Sequence, residues 1–114
     1  DLVRSRGLGD VYKRQVYVVQ EPDVNKNILS ATKYGDLEII LPAKENMMFS
    51  PSPTVARIKN ALRNFNDDDF LLLIGDPAAI GFAIHYALQA NRQRVKLLKW
   101  DRREVMYYPL EVKA

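Results

Sequence analysis

Apolar and polar positions alternate between two periods along this chain, and the switches between them mark its elements. Val16-Tyr17-Val18-Val19 is β-branched and aromatic, is stopped by Glu21-Pro22, and reads as a first strand. From Asn25 to Tyr34 the apolar residues Ile28, Leu29 and Tyr34 follow a loose helical spacing that ends at Gly35. Leu37 to Leu41 is a second short strand, closed by Pro42. Ser50-Pro51-Ser52-Pro53 opens a helix, with Ser52 placed as N-cap and Pro53 in the first turn, where a missing N–H costs nothing. Its apolar positions Val55, Ile58, Leu62 and Phe65 recur at helical spacing, while Arg57, Lys59, Asn60 and Arg63 are polar. Phe70-Leu71-Leu72-Leu73-Ile74 has no polar alternation, as in a strand covered on both faces, and it belongs in the centre of a sheet. Gly75 breaks it, Asp76 caps, and Pro77 begins a helix running to about Ala90, with Asn91 at its exit. Val95 to Trp100 is a fourth strand, Asp101 to Glu104 a turn, and Val105 to Val112 a fifth strand.

Single helices between successive strands predict right-handed crossovers and parallel pairing. The last two strands are joined too tightly for a crossover and must form an antiparallel hairpin. The expected fold is therefore an α/β three-layer sandwich. Its mostly parallel five-stranded sheet is flavodoxin- or Rossmann-like in order and carries an antiparallel C-terminal edge hairpin.

A chain of 114 residues suits one domain. Its 47% hydrophobic and 27% charged residues are those of an ordinary globular protein. No apolar run approaches the roughly 20 residues that cross a bilayer, and the polar N-terminus has no leader-like apolar stretch. Cysteine is absent, which excludes disulfides and thiolate chemistry and suits a reducing cytoplasm. The formal charge of +3 is uneven. Residues 1–15 hold Arg4, Arg6, Lys13 and Arg14 against Asp1 and Asp10, leaving the remainder nearly neutral and its attraction to nucleic acid weak. That opening stretch, DLVRSRGLGDVYKRQ, has no helical or alternating pattern. It resembles the translated sequencing-adaptor read-through found at the ends of metagenomic reading frames. The expected organisation is a non-native disordered tail over 1–15 and a single α/β domain over 16–114.

Four groups of residues carry candidate chemistry. Gly75 to Gly81 lies where a strand turns into a helix, the usual place for a phosphate cradle, but it matches neither a dinucleotide fingerprint nor a P-loop. The turn is read as structural, with Gly81 allowing close approach of helix and sheet. Gln20, Glu21, Gly75 and Asp76 gather at the carboxyl ends of the first and third strands, with Lys44 or Ser50 nearby, and form a candidate ligand site. The acidic run Asp67-Asp68-Asp69 lies at the opposite, amino end and reads as a solvated loop, not a metal site. His85, the single histidine, sits mid-helix and reads as a partly buried packing residue. The helix around it is apolar nearly all round, which makes Phe82 and Tyr86 candidate partner contacts. In the hairpin, Lys96, Lys99, Trp100, Arg102 and Arg103, with Tyr107 and Tyr108, interleave cations with aromatics. Such a pattern either protects a sheet edge or grips single-stranded nucleic acid. No catalytic residue, cofactor or metal is assigned.

The segments VYVVQEP, SPSPT, DDDFLLLIGDPAAIGFA and LKWDRR with the following YYP resemble those of small uncharacterised proteins of tailed bacteriophages. The resemblance implies a phage-encoded accessory protein in the host bacterial cytoplasm and implies no activity. Two functions remain open. One is a non-catalytic module that binds a second copy of itself, a host or phage protein, or single-stranded nucleic acid. The other is a small-ligand or nucleotide-binding enzyme using the carboxyl ends of the strands.

Overall fold

The structure, a computed structural model, describes residues 14–23, 27–45 and 51–114. Strand β1 (Gln15–Gln20) leads into a 3-10 helix (Leu29–Tyr34) and β2 (Asp36–Leu41). Helix α1 (Pro51–Ala61), β3 (Phe70–Leu72), α2 (Pro77–Ala90), β4 (Arg94–Asp101) and β5 (Met106–Lys113) follow. The sheet order is β2-β1-β3-β4-β5. Every pairing is parallel except β4 with β5, so the mostly parallel sheet and its C-terminal hairpin are as expected. This is the flavodoxin-like order with the last strand reversed.

Both faces of the sheet are covered, unequally. Tyr17, Val19, Leu71, Val95 and Leu97 point to the side of α1 and α2, where they meet Ile58, Leu62, Phe65, Ala79, Ala83 and Ala87. Val16, Val18, Phe70, Leu72 and Leu98 point to the other side, where the cover is Ala31 of the 3-10 helix, flanked by Ile28 and Tyr34. Among the described residues the third layer is thus one short 3-10 helix. The weak spacing from Asn25 supported a longer helix, but only Leu29–Tyr34 winds, and Asn25 lies outside the described residues. Right-handed crossovers force the connection leaving β1 towards β2 and the one leaving β3 towards β4 onto opposite faces. A crevice opens between β1 and β3 for that reason, at their carboxyl ends.

Several local expectations need correction. Helix α1 starts at Pro51, so Ser52 lies inside the first turn and does not cap it. Both prolines fit there because first-turn N–H groups have no helical partner. The buried stripe of α1 includes Thr54, whose hydroxyl donates to Glu45 Oε2, while Val55 is only half-buried. Asp69 is not part of a solvated loop: it is 0% exposed, and its carboxylate accepts N–H bonds from Gln15 and Asn66, each at 3.1 Å. Asp67 is also engaged, pairing with Arg94 at 2.9 Å and with the Asn91 amide at 2.8 Å. In α2, Ala79, Ala83 and Ala87 face the sheet, which turns Gly81 towards open space and leaves His85 exposed. Gly81 therefore serves no close packing, and His85 is not a packing residue.

The first strand includes a residue that the pattern placed outside the domain. Gln15 already belongs to β1, and the Arg14 carbonyl accepts from Asp36 N–H at 2.9 Å. Residues 1–13 lie outside the described residues.

Candidate functional site

A cleft of about 620 Å³ opens at the carboxyl ends of β1 and β3. It is lined by Gln20, Leu73, Ile74 and Gly75 at the strand ends, by Glu21, Pro22, Asp23 and Asn27 after β1, and by Trp100 and Tyr107 of the hairpin. The volume is that of an ordinary small-molecule site. Ile80 and Ala43 complete the lining.

Gln20 organises this end of the sheet. It is 6% exposed, and its side-chain amide donates to the carbonyls of Pro42 (3.1 Å), Ala43 (3.4 Å) and Glu45 (2.9 Å). Its Oε1 accepts from Asp76 N–H at 2.9 Å. One buried side chain thereby satisfies the loop after β2 and the turn into α2, as a buried amide must. Gln20 positions the cleft and has no spare donor for a ligand.

Gly75 fits against that amide. Its φ of +128° suits glycine, and a Cβ there would lie 2.5 Å from Gln20 Cβ. Gly75→Ala should destabilise the fold by about 2–3 kcal/mol through strain and overpacking. A urea midpoint unchanged from the parent would show that the turn can relax.

The start of α2 carries a carboxylate. Asp76 caps it as expected, its carboxylate accepting from Ala78 N–H at 2.8 Å, and its own N–H is held by Gln20. A phosphate would meet a carboxylate where a phosphate cradle presents open N–H groups.

The hairpin supplies the aromatic wall. Trp100 stands opposite Tyr107 in the ladder, and their rings meet edge-on with centroids 4.9 Å apart and planes at 69°. The indole remains 39% exposed. Tyr107 is buried; its hydroxyl donates to the Asn27 carbonyl at 3.1 Å, and its own carbonyl accepts from Tyr34. Burial holds the Tyr107 phenol above its usual pKa. The fold favours the neutral phenol, so its contribution to stability is intact below about pH 10 and is lost as pH rises through the raised value. Tyr107→Phe should flatten the alkaline limb of stability measured by urea melts; an unchanged limb would place that pH dependence elsewhere.

The hairpin cations do not join this wall as one patch. Strand alternation places Lys96 on the Trp100 side, where its Nζ lies 4.3 Å from the Phe70 ring centroid, and Lys99 on the opposite side. Arg102 and Arg103 are exposed in the turn, which Asp101 braces by accepting from Arg103 and Glu104 N–H groups. On α2, Phe82 is 40% exposed beside Ala78, Gly81 and His85 in a shallow hollow. Tyr86 is half-buried, with Lys59 Nζ 5.9 Å from its ring centroid. Lys44 is exposed and does not line the cleft; Ser50 lies outside the described residues.

The cleft thus unites Gln20, Glu21 and Gly75 with Trp100, residues that the chain's pattern placed in separate groups. Asn27, Tyr107 and Ile80 were missed as neighbours. The hairpin register could have brought in Tyr107, because a four-residue turn sets it opposite Trp100. Among the described residues, no group of three or more His, Asp or Glu could hold a metal ion, and no helix is long and apolar enough to cross a membrane.

A family model described as Phage Pam3 gp32-like protein matches residues 14–114. No curated protein and no solved structure matches the chain. The match begins at Arg14, whose carbonyl makes the first described bond to β2, and it spans every element of the fold. This phage-associated chain belongs to the Phage Pam3 gp32-like protein family.

Proposed function

We propose that this phage protein is a non-catalytic accessory binding module whose site is the cleft between β1 and β3, and that it takes a small ligand there. The observation that carries this reading is the cleft itself, at the crevice where open α/β sheets hold ligands, with an exposed indole on one wall. Binding is favoured over chemistry by the state of the polar groups. The Gln20 amide and the Tyr107 hydroxyl are spent on backbone partners, His85 is on the far side of α2, and the remaining carboxylates Glu21 and Asp23 are exposed. Acid–base work calls for groups positioned by neighbours at hydrogen-bonding distance. Carboxylates at the rim and the division of the hairpin cations between two sheet faces also weigh against single-stranded nucleic acid.

The test is a panel of small cyclic compounds of all charges, followed by NMR. Compounds that bind should shift the Trp100 indole, the Gln20 side-chain amide and Gly75. Shifts confined to α2 or the hairpin edge, or none across the panel, would overturn the reading.

The domain itself is proposed to comprise residues 14–114, two residues longer than its pattern suggested. Deleting 1–13 should leave the melting temperature within a few degrees, since the first described bonds are made by Arg14 and Gln15. A larger drop would assign the opening segment a place in the fold.

A further inference from the structure

We infer that the cleft selects a flat organic cation, a small aromatic ring carrying delocalised positive charge; this rests on the reading of the cleft as a ligand site. Three independent features converge on that class.

The first is charge. Glu21 and Asp23 line the cleft, and among its described lining residues there is no Lys, Arg or His. Their combined field attracts cations and repels carboxylates and phosphates. The start of α2 adds the Asp76 carboxylate beside Gly75, with the Asp76 and Ala78 N–H groups already engaged.

The second is the wall. Indole is the strongest of the aromatic faces for a cation. Edge-on packing against buried Tyr107 presets the Trp100 ring, so little freedom is lost when a second ring stacks on it. The same cleft is lined by Leu73, Ile74 and, from α2, Ile80, which suits the apolar body of a ring and not a hydrated metal ion.

The third is the engagement of the groups that would read a hydrogen-bond pattern. Gln20 is the amide best placed to recognise the edge of a nucleobase, and its donors go to Pro42, Ala43 and Glu45 while its buried Oε1 accepts from Asp76 N–H. Selection therefore falls to charge and shape.

Three isosteric probes separate the outcomes: 1-methylnicotinamide (cation), nicotinamide (neutral) and nicotinate (anion), titrated calorimetrically into the full chain. The cation should bind at least ten-fold more tightly than the neutral ring, with the anion undetected. The Glu21→Gln, Asp23→Asn double variant should lose that preference while retaining its melting temperature, since both side chains are exposed. Trp100→Leu should weaken all binding. Equal affinity for cation and neutral ring, or a preference unchanged in the double variant, would overturn the charge selection and leave the cleft reading standing. Binding by none of the three would also overturn the inference; the cleft reading would then fall only if the wider panel produced no shifts at Trp100, Gln20 and Gly75.

Discussion

Leu72→Ala should cost about 2–5 kcal/mol of stability, the range for deleting a fully buried leucine and leaving a cavity behind. Leu72 is inaccessible on β3, the middle strand, between Val18 of β1 and Leu98 of β4 in the ladders. Around it are Val16, Val18, Phe70, Leu98 and Tyr107, on the face whose helical cover among the described residues is the 3-10 segment. Neighbours fixed in ladders on both sides cannot easily collapse into the space, which places the effect above the lower bound. Guanidinium or urea unfolding of the two proteins measures it. A loss below about 1 kcal/mol would mean that this thinly covered face relaxes around the gap.

Asp69→Ala should cost about 2–5 kcal/mol, whereas Asp68→Ala should stay within about half a kcal/mol. The carboxylate of Asp69 is wholly buried and holds the Gln15 N–H at the start of β1 and the Asn66 N–H in the turn before β3. Deleting that acceptor strands two backbone donors away from water. Asp68 is exposed, and its described bond is made by its backbone N–H, which alanine keeps. Matched unfolding curves for the two variants decide the matter. Equal midpoints would show that Asp69 is no anchor.

That contrast within one triplet marks where the sequence was legible. Phe70 to Ile74 announced a central strand because burial on both faces removes polar alternation, and Leu71 and Leu72 point to opposite faces as that implies. Asp76-Pro77 announced a capped helix because capping is local chemistry. Asp69 was illegible because three successive aspartates look alike until a distant strand brings Gln15 beside one of them. The orientation of α2 was illegible for a different reason. With apolar residues nearly all round, no stripe singles out the inner face, and the small Ala79, Ala83 and Ala87 lie closest to the sheet. Gly81, half a turn away from that stripe, is then forced outward. The candidate site was half legible. Strand order alone points to Gln20, Glu21 and Gly75, but Trp100 reaches them only because β4 runs parallel to β3 and ends at the same rim.

Gln20 also couples two parts of the chain that are far apart in sequence. The loop after β2 and the turn into α2 both bond to its one side-chain amide. A substitution that removes this amide therefore loosens both at once, so the two sides of the cleft depend on a single side chain of β1.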